Sequence, residues 1–299
     1  MNRVLVLMAT YNGEKYLDQQ LYSIYNQKGV MVEVLVRDDG SKDNTCSVLN
    51  SWSKREKLKW YTGEHLSAKY GFYDLMLKAA ETQYEYFAFC DQDDIWDADK
   101  LATALNNIDR YSKEKMCLYY CGQRLVDEEL NILSIHDLKE NRSNFARFMF
   151  NDAAGCTQVF NRSLLNRIVQ YRPTNMSMHD VWLVKVCLAL GGELIVDKNP
   201  HMNYRQHTNN VVGLKNDLKS KVKRAANYIF DRDIESQMKD LKNGYIDQMI
   251  PEYISIVNDT LNYKYSIKSK LHLLNLKKFN FEDRGVSAAY LIKVLINKL

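Results

Sequence analysis

Proline is nearly absent from this chain: three residues in 299, beside only twelve glycines. So little of either excludes long linkers, low-complexity segments and disorder, and 46% hydrophobic residues is ordinary for a protein with a real core. Paired cysteines are missing too. Cys46, Cys90, Cys117, Cys121, Cys156 and Cys187 lie scattered, mostly among apolar neighbours. They read as reduced core residues of a cytosolic protein and speak against a zinc site. No window approaches the ~18 consecutive apolar residues needed to span a bilayer. The apolar segment over residues 1–8 is too short for a signal peptide and runs straight into a motif. A cytoplasmic protein is expected, peripheral on a membrane at most.

Net charge is scarce as well, only +4, but its distribution is uneven. Residues 214–299 hold 16 Lys and Arg against 10 Asp and Glu, a net of +6, so the rest of the chain nets −2. At this length the chain is one large domain, or one domain with a smaller appendage.

What is present is an alternation of buried strand, polar turn and helix. Arg3–Met8 reads as a buried parallel strand ending in Ala9-Thr10-Tyr11-Asn12-Gly13. Apolar residues at Tyr16, Leu17, Leu21, Ile24 and Tyr25 then give a helix within 14–27. Val32–Val36 is a second strand, ending in Arg37-Asp38-Asp39-Gly40-Ser41 and followed by a helix through Trp52. Strands are further expected at 59–62, 86–90, 116–121, 155–160 and 193–196, and helices at 70–80, 98–111, 145–150, 163–170 and 179–190. Residues 126–137 suggest a hairpin and 202–212 a polar loop. This order predicts a doubly wound nucleotide-binding sheet. From residue 214 onward the pattern is helical and lysine-rich, with Pro251 placed near a helix start.

The chemistry concentrates where the run Tyr86–Cys90 ends in Asp91, Asp93 and Asp94. Open α/β sheets keep their ligand crevice at the carboxyl ends of strands. In an extended segment Asp91 and Asp93 point to one side, where they repel unless a cation lies between them. Mg²⁺ suits that place, being held by one or two carboxylates together with substrate phosphates. The alternative is a turn with a solvated acidic tip.

Five segments then fall in the order and spacing of a known family. They are Ala9–Gly13, Arg37–Asp43, Cys90–Trp96, His179-Asp180-Val181-Trp182 and Tyr204–Asn210. With them the chain resembles the family 2 glycosyltransferases over residues 1–213, and among these the bacterial rhamnosyltransferase-type enzymes of surface polysaccharide synthesis. The resemblance implies a GT-A (Rossmann-like) mixed sheet flanked by helices; residues 214–299 lie outside it and read, from their own pattern, as a basic helical C-terminal extension. The resemblance also implies a metal-dependent inverting transfer of a sugar, rhamnose for preference, from a dTDP- or UDP-sugar to a saccharide acceptor. Thr10, Tyr11, Asn12 and Asp39 would take the base and ribose, Asp91 the ribose side, and Arg205 the diphosphate. Asp93, with Asp91 and His207, would hold Mn²⁺ or Mg²⁺, and Asp180 would be the general base.

Two departures stand out: His179 occupies a position where the family commonly has Glu, and Lys69–Tyr73 lacks an Asn that relatives often carry. Asp180 has a second reading as a helix cap. Lys219, Lys221, Lys223 and Arg224, with later lysines, interleave with apolar residues as in surface-bound helices. That pattern allows contact with an anionic membrane carrying a lipid-linked acceptor, or a homodimer contact; nucleic acid is not expected. The rival functions are a nucleotidyltransferase, which should show a Gly- and Arg-rich phosphate loop near the start, and an inactive nucleotide-sugar-binding scaffold.

Overall fold

The computed structural model describes residues 1–64, 66–136, 138–207 and 234–299. The apolar runs become β1 (Arg3–Thr10), β2 (Met31–Asp38) and, after β3 (Leu58–Thr62), β4 (Tyr86–Cys90). All four are parallel, in the order β3-β2-β1-β4. Both faces of this half-sheet are covered, which is why its strands are continuously hydrophobic. Val4, Val6 and Met8 pack with Leu17, Leu21 and Ile24 of α1 (Leu17–Tyr25) and with Leu49 of α2 (Thr45–Ser53). Leu5 and Leu7 point the other way, onto Phe72 and Leu75 of α3 (Ala68–Ala80). Alternate residues of one strand thus feed two separate cores.

Beyond β4 the sheet becomes mixed. β5 (Ile95–Trp96) and α4 (Lys100–Ile108) lead to the long β6 (Cys117–Val126). β7 (Ile132–Ile135) forms a hairpin with β6, as the 126–137 segment predicts, residue 137 lying outside the described residues. After α5 (Asn144–Met149), β8 (Val159–Asn161) inserts antiparallel between β4 and β6. Gly155–Thr157, read from sequence as strand, is a 3-10 turn. α6 (Arg162–Ile168) and α7 (His179–Ala189) precede β9 (Glu193–Arg205), which is parallel to β6 and pairs with β5 at the sheet edge.

β9 corrects the expectation of a loop from residue 202. It continues to Arg205 because β6 and β5 supply hydrogen-bond partners, although beyond Val196 its own sequence lacks an apolar run. The remainder of that loop, 208–212, lies outside the described residues, as do Lys219, Lys221, Lys223, Arg224 and the 213/214 boundary.

Four helices complete the described chain: α8 (Ile234–Tyr245), α9 (Pro251–Asn262), α10 (Ile267–Leu273) and α11 (Arg284–Leu295). Pro251 is the first residue of α9, where its missing N–H costs no helical bond. These helices do not stand apart. Met238, Leu241, Ile256 and Val257 belong to the same cluster as Leu183 and Val186 of α7. The Tyr245 hydroxyl donates to the Arg167 carbonyl at 3.0 Å. Among the described residues no helix is long and apolar enough to cross a membrane.

Candidate active site

β1 and β2 end in register, Thr10 beside Asp38, and their turns are laced together. Asp38 is wholly buried and accepts from Thr10 Oγ1 (3.0 Å) and from the amides of Gly40 (3.1 Å) and Ser41 (2.9 Å). Asn12 takes a left-handed backbone, φ +49°, which Asn tolerates better than most residues. Its amide donates to Ser41 Oγ (2.8 Å) and its Oδ1 accepts from the Lys42 amide (2.9 Å). Thr10 and Asn12, which the resemblance gives to the nucleotide, here hold the shape of the crevice. Tyr11 is different: its side chain stands 44% exposed at the crevice. Its backbone is clamped by Gln92, which accepts from the Tyr11 amide (2.9 Å) and donates to the Tyr11 carbonyl (3.1 Å). A side chain at Gly13 would collide with that amide, its Cβ falling 2.3 Å from Gln92 Oε1. The first turn and the acidic turn are therefore fixed to each other.

Asp39 lies beneath the start of α3 and forms an ion pair with the buried Arg37. Arg37 also bonds Asp74 through Nε (3.1 Å) and the Glu64 carbonyl through Nη2 (2.7 Å). This guanidinium sets the Asp39 carboxylate in place. Arg37→Met is expected to cost about 3–5 kcal/mol, because two carboxylates lose the cation between them. Urea unfolding measures it, and a variant as stable as the parent would refute the bracing role.

The end of β4 carries the acidic turn. Burial, then the charges of Asp93 and Asp180, push the Asp91 carboxyl up to about 7. Asp94 is wholly buried and raised well above the ordinary carboxylate range, chiefly by burial. It is not a helix cap: Asp99 takes that position on α4. Its Oδ1 accepts from the Arg205 amide (3.2 Å), while Oδ2 has no hydrogen-bond partner among the described residues. Ligand atoms of Asp91, Asp94 and Cys156 lie within 4.8 Å of one another. Under them sits Lys100, fully buried, its ammonium held by the Cys156 carbonyl (2.5 Å) and placed over the Trp96 ring at 3.5 Å. Trp96 is thus packing, as its sequence position implies. Lys100 went unnoticed in the sequence, where a lysine in an amphipathic helix signals a solvated face.

Asp93 meets His207, Oδ2 to Nε2 at 2.8 Å, and the His207 ring stacks on Tyr16 at 5.1 Å. Crowded carboxylates with one imidazole form an oxygen-rich donor set suited to Mg²⁺ or Mn²⁺. Asp93 and His207 would hold a divalent cation as a pair; among the described residues the groups of three whose ligand atoms lie within 4.8 Å of one another are Asp91, Asp94 and Cys156, and Asp97, Asp99 and His201. Arg205, which the resemblance gives to the diphosphate, is engaged within the fold. Only 1% exposed, its Nε donates to the Asp93 carbonyl (2.9 Å), Nη1 to the Glu128 carbonyl and Nη2 to Gln19 (2.8 Å). In this structure the fork braces the acidic turn.

Asp180 opens α7. It is the second residue of the helix, and the cap is Met178, without a side-chain bond, so the capping reading fails. Asp180 Oδ1 accepts from the Val181 amide (2.7 Å) in the first turn, where the helix dipole favours negative charge. His179 is packed away: stacked on Phe72 at 4.0 Å, edge-on to Phe89 at 4.7 Å, and lowered by burial to about 3. It is neutral at any ordinary pH and acts as an aromatic wedge seating α7 on β4 and α3. Gly155 admits it, since a Cβ there would lie 2.7 Å from His179 Nε2.

The site therefore joins an acidic turn at a strand end with one carboxylate at a helix start. The profile of glycosyl transferase family 2 matches residues 5–169, more than half the chain. This chain belongs to glycosyl transferase family 2. The dTDP-rhamnosyl transferase RfbG of Shigella flexneri is 30% identical, over 73% of this chain and 77% of that protein. The UDP-Glc:alpha-D-GlcNAc-diphosphoundecaprenol beta-1,3-glucosyltransferase WfgD of Escherichia coli is 29% identical, over 54% of this chain and 62% of that one. Among solved structures, S. aureus TarS 1–349 in complex with UDP-GlcNAc superposes with a TM-score of 0.58 at 16% identity, over 98% of this chain and 90% of that one. Mannosyltransferase PcManGT from Pyrobaculum calidifontis, in complex with GDP-Man and Mn²⁺, gives 0.58 at 17%, over 99% and 86%. At such identities the structures establish the fold. This glycosyltransferase has the GT-A architecture, a mixed sheet flanked by helices with further helices at its C-terminal end.

Proposed function

We propose that this glycosyltransferase is an inverting, divalent-cation-dependent enzyme that moves rhamnose from a dTDP- or UDP-activated donor to a lipid-borne saccharide in surface polysaccharide synthesis. The observation that carries the chemistry is that Gln158 ties the start of α7 to the end of β4, so that Asp180 stands near the acidic turn. The Gln158 carbonyl accepts from the Phe89 amide (3.2 Å) and its Nε2 donates to the Asp180 carbonyl (3.2 Å). The sugar and nucleotide rest on the likeness to the Shigella protein.

In this reading the catalytic unit is residues 1–213. Tyr11 packs on the base, Asp39 accepts a hydrogen bond from the base N–H, and Thr10 and Asn12 keep that slot in shape. Asp91 lies toward the ribose, and Asp93 and His207 would hold the cation. When bound, the cation supplies Lewis-acid stabilisation of the departing diphosphate. Asp180 takes the proton of the acceptor hydroxyl as that oxygen bonds to the sugar C1. The C1–oxygen bond to the diphosphate breaks, its electron pair leaves with the nucleoside diphosphate, and the configuration at C1 inverts.

The test is slow donor hydrolysis and donor binding, measured over dTDP-rhamnose, UDP-glucose, UDP-GlcNAc and GDP-mannose with Mn²⁺, Mg²⁺ or chelator. The expected result is preference for the dTDP-sugar and loss of binding with chelator. Binding of none of the four with either metal would refute the assignment.

A further inference from the structure

The last two helices expose apolar side chains together. Tyr265 is 89% exposed, Ile267 79% and Leu271 63%. The last two are four residues apart, on one side of α10. Ile292, Leu295 and Ile296 form a second exposed group on and just past α11. The groups are neighbours: Lys270 Nζ donates to the Leu295 carbonyl (3.2 Å) and to Asn297 Oδ1 (3.0 Å). The other sides of both helices already face the core, through Leu273 on α10 and Tyr290 and Val294 on α11. Scattered exposed apolar residues are commonplace, but six on adjoining helices mark a surface that meets something.

Charge identifies the partner. Residues 263–299 carry eight Lys and Arg against two Asp and Glu, and even with Lys293 buried and Lys264 paired to Glu235 six cations remain. Both acids are engaged away from the patch: Asp283 caps α11 through the Val286 amide (2.8 Å), and Glu282 bonds Asn141 (2.7 and 3.0 Å). Lys268 and Lys298 are exposed beside the apolar groups.

We propose that the α10–α11 face seats this enzyme on an anionic bilayer. Tyr265, Ile267, Leu271, Ile292, Leu295 and Ile296 enter the boundary between headgroups and acyl chains, while Lys268 and Lys298 meet lipid phosphates. The rival occupant is a second copy of the chain. A two-fold contact through this face would set its lysines against their own copies, which like-charge repulsion disfavours. The inference gives a place to the lipid-borne acceptor proposed above, yet its test needs neither donor nor acceptor, so the two can fail separately.

The experiment is flotation of the full chain with vesicles of phosphatidylcholine alone or mixed with phosphatidylglycerol, over a salt series. Binding is expected only with phosphatidylglycerol and should weaken as salt rises. Ile267→Glu with Leu271→Glu, and separately Leu295→Glu, should reduce partitioning by about tenfold or more. Circular dichroism and donor hydrolysis should match the parent. Lys268→Glu with Lys298→Glu should flatten the salt dependence. A parent that ignores anionic vesicles overturns the proposal, as do apolar variants that bind as well as the parent. Light scattering supplies the last overturning result: a dimer that these variants dissociate.

Discussion

Asp180→Asn should bind donor as the parent does and transfer sugar about 10²–10⁴-fold more slowly, the range a positioned general base contributes. The substitution keeps the shape of the side chain. An Asn oxygen can still accept from the Val181 amide, the bond Asp180 Oδ1 makes at 2.7 Å. Seating of α7 depends on other contacts, His179 against Phe72 and Phe89 and the Asp180 carbonyl accepting from Gln158 Nε2 (3.2 Å). Folding is therefore preserved while the basic oxygen is lost. The defect should fall on kcat, with the donor KM within about threefold, because an interaction made only in the transition state lowers kcat and kcat/KM together. Steady-state transfer to acceptor, beside donor titration, reads both. Transfer within tenfold of the parent would remove Asp180 from the chemistry.

Much of this site is visible in the sequence because its backbone is set by local rules. β1, β2 and β4 are buried on both faces, so each appears as an apolar run, and each ends where polar residues begin. Asp91, Asp93, Asp39 and Tyr11 follow directly from those ends. What stays hidden depends on partners far along the chain. Whether the Arg205 fork is available is decided by Gln19, Glu128 and the Asp93 carbonyl, which no spacing around residue 205 reveals. Asp94 looks like part of a solvated acidic tip until the Arg205 amide is found against it. His179 looks polar, yet Phe72, Phe89 and Gly155 make its surroundings apolar. β9 extends through unpromising residues because β6 and β5 pair with it. Composition sets the C-terminal helices apart, but their inward residues share the core around α7. In each case a short-range pattern competes with a long-range contact, and the contact wins.

Asp93→Ala should be the more severe loss, about 10³-fold or more in kcat/KM, equivalent to about 4 kcal/mol. Asp93 Oδ2 meets His207 Nε2 at 2.8 Å, so its removal takes the oxygen proposed as a cation ligand and leaves the imidazole without the carboxylate that orients it. Arg205 is held by the backbone carbonyl of Asp93, not by the carboxylate, and by Glu128 and Gln19 besides. The acidic turn should therefore keep its shape, and thermal unfolding should stay within a few degrees of the parent. Donor binding separates the contributions. Affinity for the nucleoside diphosphate sugar in Mn²⁺ should fall to that of the parent in chelator. Binding of the nucleoside monophosphate, which in the proposed reading rests on Tyr11 and Asp39, should not change. His207→Ala should give a smaller defect in the same direction, about 10–100-fold in Mn²⁺ affinity. If Asp93→Ala keeps the Mn²⁺ dependence of the parent, the cation is held elsewhere, and the buried trio of Asp91, Asp94 and Cys156 becomes the set to dissect.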